Sequence, residues 1–223
     1  MIKRIHTNSL IKTTCNSGFT LVELLIVLVL SAIIMTVVYA AYTMQKRTYT
    51  AQTDVSETQQ NARAGLDLFV REIRMAGYDK LTTANAGITT ATATTFAFTA
   101  DLNENGSVLA GPTNPDENVS LSIDPVANAL TRNTGGGAQP IANNITNLEF
   151  FYTMDDGTQT LAPAQLDQIA TVTISILATS PQSTPGLTAP VNYTSASLVD
   201  WTGTAQTDGF RRRFYSMEVT CRN

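Results

Sequence analysis

The stretch that decides the fold is Ser17-Gly18-Phe19-Thr20-Leu21-Val22-Glu23, which opens an apolar run that continues to Tyr42. The run covers about 24 residues, and an α-helix that rises about 1.5 Å per residue needs roughly 20 to cross a hydrocarbon core of about 30 Å. The sequence therefore predicts a helix that can span a bilayer. Glu23 is the only charged residue within this run. A carboxylate at such a position is costly, which indicates that it has a specific role.

The composition indicates that the rest of the chain is polar and rich in turns. Charged residues make up 14% of the 223 residues, and Thr, Ala, Asn and Ser are abundant, which is typical of a turn-rich β domain. This length leaves room for one ordinary domain beyond the apolar run. The formal net charge is -4. An acidic chain argues against a nucleic-acid partner, because that affinity depends on clustered Lys and Arg.

The sequence contains no recognisable constellation of catalytic residues. Its one histidine, His6, lies in the N-terminal segment, and we find neither a histidine-based triad nor a metal-ligand cluster. Asp155-Asp156-Gly157 is a hairpin turn signal. Gly135-Gly136-Gly137 lacks the Lys-Ser or Lys-Thr that would follow it in a phosphate-binding loop. We therefore predict that the chain is not an enzyme and has no small-molecule substrate.

The N-terminal residues end in Gly18, directly before the apolar run. A secretory signal peptide would place its apolar region ahead of the small residue at the cleavage site, whereas here the apolar region follows that residue. Gly18 next to Phe19, then Thr20-Leu21 and the acid Glu23, resembles the class III signal of type IV prepilins and pseudopilins. The resemblance implies cleavage between Gly18 and Phe19 by a prepilin peptidase, which also methylates the new amino group of Phe19. Residues 1–18 are thus expected to be a leader peptide.

Glu23 is the candidate residue for subunit assembly. In one interpretation its carboxylate pairs with the amino group of Phe19 on a neighbouring subunit, because opposite charges at low dielectric offset each other's desolvation. In the other, Glu23 lies near the headgroups and extends toward them. The context of Gly18 and Phe19 favours the first interpretation. We therefore predict that Phe19 and Glu23 together fix the register between subunits.

The charges beside the apolar run bear on its orientation. Lys3, Arg4 and Lys12 precede it and favour a cytoplasmic N-terminus, although Lys46 and Arg47 on the other side weaken that argument. The class III signal supports the same orientation. The prediction is a single-pass inner-membrane protein with its globular domain in the periplasm, which later becomes part of an extracellular pilus.

The helical pattern continues beyond the apolar run as far as Ala76. Its apolar residues recur at the i, i+3, i+4 and i+7 spacing of a stripe that faces a core: Leu66, Phe69, Val70 and Ile73. Gly77 predicts the end of the helix. A continuous helix from Phe19 to Ala76 would be roughly 87 Å long. We therefore expect lipid or neighbouring subunits to hold residues 19–42, and the chain's own domain to hold residues 43–78.

Two further stretches refine the resemblance. Gln60-Asn61-Ala62-Arg63 and Arg71-Glu72-Ile73-Arg74-Met75-Ala76-Gly77-Tyr78 resemble the PilW-like branch of minor type IV pilins and, more distantly, the J-type minor pseudopilins of type II secretion. This resemblance implies an α+β fold, the type IV pilin fold, in which the C-terminal half of the long helix packs on a mainly antiparallel β-sheet. No proline precedes Pro112, so the kink that many major pilins carry in this helix is not predicted.

The resemblance also implies the function and the partners. The function is that of a minor type IV pilin, a structural subunit for pilus assembly, for priming or for the tip complex. A J-type minor pseudopilin of a type II secretion system is the alternative, and a tip adhesin or DNA-binding receptor is an alternative of another class. The implied partners are the prepilin peptidase, other major and minor pilins, the inner-membrane assembly platform and membrane lipid.

Residues 79–223 alternate with the period of β-strands. Apolar residues two apart predict five strands, at Phe96/Phe98, Val119/Leu121/Ile123, Leu148/Phe150/Tyr152, Val172/Ile174/Ile176 and Tyr215/Met217/Val219/Cys221. Asn133-Thr134-Gly135-Gly136-Gly137 predicts a hairpin turn. Residues 180–208 are rich in Pro, Thr and Ser and are predicted to form a long surface loop, with Trp201 as its anchor.

Asp101-Leu102-Asn103-Glu104-Asn105-Gly106 matches the opening of a calcium loop. Oxygen ligands would come from Asp101, Asn103 and Asn105, and the glycine permits the sharp turn. An EF-hand is excluded because Pro112 stands where the twelfth-position Glu would be. A looser calcium site completed by Asp116 or Glu117 is one hypothesis. An Asx-rich hairpin turn is the other, and it is the one that we favour from sequence alone, because Asp, Asn and Gly are also common turn residues.

The C-terminal segment carries two more candidate features. Arg211-Arg212-Arg213 could contact DNA or a fibre neighbour, or it could protect the edge of a sheet by its charge. Cys15 and Cys221 lie on opposite sides of the apolar run, so a processed chain has no internal disulfide. Cys221 is predicted to be a small buried apolar residue rather than a reactive thiol.

Overall fold

The computed structural model describes residues 18–109, 111, 114–184, 186–187, 192–201 and 208–221. Its first element is the helix α1, Leu21–Met75. In the described residues two antiparallel sheets follow the helix. The chain divides into two compact units, Met1–Tyr49 and Thr50–Asn223.

In the first unit, α1 presents apolar side chains that nothing in the described part of the unit covers. The large apolar residues between positions 21 and 49 are exposed, and we call them the apolar helix surface. Ser31 and Thr36 interrupt this surface, and their hydroxyls donate to the carbonyls of Val27 (2.7 Å) and Ala32 (2.8 Å). These bonds satisfy both hydroxyls within the helix itself. By length and composition, α1 is the one helix among the described residues that could cross a membrane.

In the second unit, the last turns of α1 carry the apolar stripe predicted from the sequence. Its four residues, Leu66, Phe69, Val70 and Ile73, are buried. Gly77 follows the helix with a φ of 75°, the left-handed conformation that favours glycine at a helix C-terminus. Its N–H donates to the carbonyl of Thr99 at 3.1 Å. The helix end is thereby attached to the first sheet.

The first sheet is an antiparallel meander whose strands follow the order β1-β2-β3-β4-β5. They are β1 Ile88–Ala91, β2 Thr95–Thr99, β3 Asn118–Asp124, β4 Ala129–Asn133 and β5 Gln139–Asn143. Asn133 shapes the turn between β4 and β5, because its Oδ1 accepts the N–H groups of Gly135 (2.9 Å) and Gly137 (3.2 Å). The hairpin predicted at this turn is present, since β4 pairs with β5.

The second sheet has the order β7-β6-β8-β9. Its strands are β6 Ile145–Met154, β7 Gln159–Thr160, β8 Ile169–Thr179 and β9 Arg212–Thr220. A short 3-10 helix, Leu166–Gln168, precedes β8. The turn predicted at Asp155-Asp156-Gly157 joins β6 to β7, and Gly157 adopts a φ of 82° there. The strand β9 reaches the edge of this sheet after the long connection that follows Thr179.

Aromatic rings link the helix to both sheets in the core. Phe69 of α1 stacks on Phe150 of β6 with ring centroids 5.9 Å apart. Phe96 of β2 lies 5.9 Å from Phe150 and 6.3 Å from Tyr152. Such pairs contribute about 0.5–1.5 kcal/mol beyond the burial of their area. The Tyr152 hydroxyl donates to the carbonyl of Thr92 at 2.7 Å, so its polar atom is satisfied inside the core.

The helix approaches the first sheet closely at Gly65. This glycine is buried, and a Cβ placed on it would lie 2.7 Å from the Cβ of Ala142 in β5 and 3.0 Å from Cδ1 of Leu130 in β4. A residue without a side chain is therefore required for the backbone of α1 to come this close to the sheet.

The predicted fold class is confirmed: the chain is α+β, and the C-terminal half of its long N-terminal helix packs on antiparallel sheets. The five strands predicted from alternation fall in β2, β3, β6, β8 and β9. The prediction for β9 was wrong in two details. Cys221 follows the strand, and Met217 is 39% exposed although Val219 is buried, because β9 lies at a sheet edge and has a neighbour on one side only.

Candidate functional site

The predicted processing site, Gly18 and Phe19, immediately precedes the cap of α1. The Phe19 side chain is 77% exposed. A Cβ built on Gly18 would meet no atom within 4 Å, so packing among the described residues does not require glycine here. Both residues are exposed.

Thr20 caps the N-terminus of α1, a role that the sequence analysis missed. Its Oγ1 accepts the N–H of Glu23 at 3.2 Å, and its carbonyl accepts the N–H of Leu24 at 3.2 Å. A Thr that satisfies one free N–H of the first turn stabilises a helix by about 1 kcal/mol. The Thr-x-x-Glu spacing of a capping box is the sequence signal that could have revealed this role.

Glu23 lies in the first turn of α1 and is exposed. A negative charge there interacts favourably with the helix dipole, by about 0.3–1 kcal/mol at an exposed position. Its carboxylate takes part in none of the ion pairs formed among the described residues. Both acceptor oxygens are therefore accessible to a cation on another molecule.

The apolar helix surface continues the site toward the C-terminus of the first unit. Soluble monomers rarely expose contiguous apolar patches larger than a few hundred Å², and larger patches mark contacts with lipid or with other proteins. A helix segment that is apolar on all sides and that the described residues of its own unit leave uncovered fits either environment. This surface and Glu23 together form the candidate assembly site.

The predicted calcium loop follows β2, and its acidic residue is deeply buried. Asp101 is fully buried, and its carboxylate accepts the N–H groups of Asn105 (3.1 Å) and Gly106 (2.9 Å). The Oδ1 of Asn103 also accepts the N–H of Asn105, at 3.0 Å. The loop therefore has the hydrogen bonds of an Asx-rich turn, as one of the two hypotheses predicted.

The structure distinguishes the two acids proposed to complete that loop. Asp116 points to another partner, because its Oδ1 accepts a hydrogen bond from Nη1 of Arg132 at 3.0 Å. Glu117 is 1% exposed, and its Oε1 accepts the N–H groups of Leu102 and Asn103, each at 3.0 Å. Glu117, and not Asp116, belongs to the loop.

The basic cluster does not form a free cationic patch. Arg212 is in an ion pair with Asp208, and its Nη1 also donates to Oδ1 of that carboxylate at 3.0 Å. Hydrogen bonding from the Arg212 side chain holds the pKa of Asp208 below its usual value. Arg213 is exposed, and it lies near the start of the edge strand β9. This placement fits the protection of a sheet edge by charge better than a binding surface.

A buried network around Glu149 escaped the sequence analysis. Glu149 lies in β6 and is 5% exposed. Its Oε2 accepts the hydroxyls of Ser195 (2.9 Å) and Ser197 (2.7 Å), and its Oε1 accepts the N–H of Ser197 (3.0 Å). These bonds attach the predicted surface loop to the second sheet. Trp201 adds a second anchor, because its ring lies edge-on to Phe214 at 6.0 Å.

Cys221 is the described cysteine, and it is free. It packs against the hydrophobic core, and burial raises the pKa of its thiol to about 11. A thiol that is protonated at neutral pH is a poor nucleophile. This environment agrees with a small buried apolar residue.

The part of the chain that the structure describes contains no group of three or more His, Cys, Asp or Glu side chains that could hold a metal ion. The calcium hypothesis differs from such a cluster, since most of its ligands would be amide oxygens. The predicted calcium loop lies in the second unit, whereas Gly18, Phe19 and Glu23 lie in the first.

Comparison with known proteins places one motif in this chain. Residues 14–39 match the family described as the prokaryotic N-terminal methylation motif. This range contains Gly18, Phe19 and Glu23, and the match supports the type IV pilin superfamily. Among solved structures, the chain is similar to a type IV-like pilin from Thermus thermophilus, with 13% identity, a TM-score of 0.49, and coverage of 73% of this chain and 96% of that one. No curated protein matches the chain.

Proposed function

From the prokaryotic N-terminal methylation motif of this type IV pilin-like chain, we propose that it is a minor type IV pilin of the PilW-like branch. It is made as a prepilin, cleaved between Gly18 and Phe19 by a prepilin peptidase, and methylated on the amino group of Phe19. The mature chain is a structural subunit for pilus assembly, for priming or for the tip complex.

One observation carries this proposal, namely that the motif lies on a helix whose apolar surface is not covered by the described residues of its own unit. A cleaved secretory signal would need no such helix in the mature protein. Here cleavage removes residues 1–18 and leaves the apolar helix surface attached to the domain. Lipid holds residues 19–42 before assembly, with the domain in the periplasm, and helices of other pilins cover them in the extracellular pilus.

Glu23 directs the assembly step. Surrounded by apolar side chains of neighbouring helices, its carboxylate would be costly without a partner. The amino group of Phe19 on an adjacent subunit supplies a positive charge, and methylation preserves that charge. Opposite charges at low dielectric then offset each other's desolvation and favour one axial position between subunits.

The test compares full-length tagged variants in cells that assemble type IV pili. Glu23→Ala should be cleaved and methylated like the unmodified chain, as measured by mass spectrometry of the N-terminal peptide. Its amount in sheared pili should fall at least tenfold, because the helix retains its apolar surface but loses the pairing charge. Glu57→Ala is the matched control, since it removes an exposed carboxylate from the same helix.

Normal recovery of Glu23→Ala in sheared pili would overturn the proposed role of the carboxylate. Gly18→Leu tests processing separately, because a bulky residue before the cleaved bond should leave the leader attached. Recovery of the chain only in cells with a type II secretion system would assign it to the pseudopilins instead. Failure of Gly18→Leu to block cleavage would contradict the processing step itself.

A further inference from the structure

We propose that the connection between β2 and β3 holds a calcium ion, with Asp101 and Glu117 as its carboxylate ligands and the amide oxygens of Asn103, Asn105 and Asn114 completing the site. This site lies in the second unit and is independent of the assembly role proposed for Glu23. Two carboxylates are buried at this one loop, and one of their oxygens has no hydrogen-bond partner among the described residues.

The two carboxylates are brought to the same short stretch of backbone. Glu117 accepts the N–H groups of Leu102 and Asn103, and Asp101 accepts those of Asn105 and Gly106. The backbone also joins them, because the N–H of Ala100 donates to the carbonyl of Glu117 at 2.9 Å. Asp101 and Glu117 are 0% and 1% exposed, so water does not solvate either charge.

The Oε2 of Glu117 is buried and has no hydrogen-bond partner among the residues that the structure describes. An anionic oxygen without a partner is expensive inside a protein, and a nearby cation removes that cost. None of the ion pairs among the described residues involves Glu117 or Asp101. Two cations near this region have other partners, since Lys80 pairs with Glu104 and Arg132 pairs with Glu72 and Asp116.

The loop also gathers three side-chain amides, whose oxygens suit calcium. The Nδ2 groups of Asn103 and Asn105 donate to Oδ1 of Asn114, at 3.2 Å and 2.7 Å, and an amide turned by 180° presents its oxygen in place of its NH₂ group. Carboxylate and amide oxygens in this number are typical of Ca²⁺ sites, whereas Zn²⁺ prefers nitrogen and sulfur. Two carboxylates also match the charge of one divalent cation.

The spacing of the loop fits this assignment without making it an EF-hand. Asp101, Asn103 and Asn105 stand at the first, third and fifth positions, and Gly106 stands at the sixth. Gly106 adopts a φ of 78°, and a Cβ there would lie 2.8 Å from Oγ1 of Thr83. The second carboxylate comes from Glu117, which precedes β3 directly and replaces the acid that an EF-hand carries at its twelfth position.

The test uses the full chain in detergent micelles after treatment with EDTA and dialysis into metal-free buffer. Calcium at about 100 times its Kd should raise the Tm by about 5–10 °C, and calorimetric titration should show saturable heat at one site. Magnesium at the same concentration should give a smaller shift, because it demands a tighter octahedral set of ligands.

Three variants make the test specific. Glu117→Gln should abolish the calcium-dependent rise in Tm while leaving the Tm in EDTA unchanged or higher. Asn105→Ala, at an exposed position, should weaken calcium binding at least tenfold even if Glu117→Gln fails to fold. Glu104→Gln is the matched control and should bind calcium normally, because Glu104 pairs with Lys80 outside the site.

Two results would overturn the proposal. The first is no heat and no rise in Tm with 1 mM calcium, which would show that this loop does not bind the ion. The second is an equal rise in Tm in the unmodified chain and in Glu117→Gln, which would place calcium elsewhere on the protein.

Discussion

Replacing Gly65 by Ala should destabilise the second unit, although alanine is the better helix former. Alanine in a helix interior is favoured over glycine by about 1 kcal/mol. The new Cβ would lie 2.7 Å from the Cβ of Ala142, a contact that no side-chain rotation can relieve because both atoms are fixed to backbone. Overpacking of this kind costs about 1–3 kcal/mol.

The position of Ala142 sets the expected size of the net effect. Its strand, β5, lies at the edge of the first sheet, so it can move away from α1 more easily than a central strand. The second close contact, Cδ1 of Leu130 at 3.0 Å, belongs to a side chain that can rotate. We therefore expect Gly65→Ala to lower the free energy of unfolding by a net amount of about 1 kcal/mol after the helix-propensity gain is subtracted.

A double-mutant cycle tests the cause of that loss. Ala142→Gly removes the opposing Cβ, so it should cost less in the Gly65→Ala background than in the unmodified chain, with a coupling energy of about 0.5–1 kcal/mol. Unfolding by urea can be followed in the full chain through the fluorescence of the single Trp, Trp201, which packs on Phe214. Ala64→Gly, at the exposed neighbouring position, measures helix propensity alone.

The reasoning would be refuted if Gly65→Ala raised the free energy of unfolding by the amount that Ala64→Gly lowers it. That outcome would mean that propensity alone acts at position 65 and that the sheet moves away at no cost. Additivity within the cycle would refute it as well, because the two Cβ atoms would then not interact.

Two further predictions concern buried groups of the second unit. Glu149→Gln should lower the free energy of unfolding by about 1–3 kcal/mol, because it would replace the charge-assisted hydrogen bonds that the carboxylate accepts from Ser195 and Ser197 by weaker neutral ones; unchanged urea unfolding would contradict this. Burial raises the pKa of Cys221 to about 11 from a usual 9.0, so iodoacetamide at pH 8 should alkylate this thiol at least tenfold more slowly in the folded chain than in urea. Equal alkylation rates in the folded chain and in urea would show that the thiol is not buried. Between about pH 9 and pH 11 the thiol ionises in the unfolded chain but not in the folded one, so the contribution of Cys221 to the free energy of unfolding should decline as the pH rises through this range.

The helix, the longer strands and several turns could be predicted because local sequence patterns report which side of an element is buried. The stripe from Leu66 to Ile73 has the helical period, and alternation marks β2, β3, β6 and β8. The shortest strands, β1 and β7, offer too few residues for alternation to be read. The end of the helix at Gly77 could be predicted for another reason, since a glycine directly after a helical pattern indicates the left-handed conformation of a helix C-terminus.

Contacts between distant parts of the chain could not be predicted in this way. Glu149 accepts a hydrogen bond from Ser195, which lies 46 positions away in the sequence. No local sequence pattern near either residue predicts this contact. Gly65 stands in the helix as a poor helix former, and only the position of Ala142 explains it. Glu117 was one of two candidate acids, and only contacts in the folded chain separated them: Glu117 accepts the N–H groups of Leu102 and Asn103, whereas Asp116 pairs with Arg132.

The uncovered apolar surface of α1 has a thermodynamic consequence for assembly as proposed. A transfer of residues 19–42 from lipid tails to the packed interior of a fibre exchanges one apolar medium for another, so the hydrophobic contribution nearly cancels. Extraction from the bilayer is then close to isoenergetic along most of the helix. The transfer therefore has no strong direction unless polar contacts or external work supply one. For this reason the single carboxylate in the first turn, Glu23, should have a large effect on the equilibrium between membrane and filament.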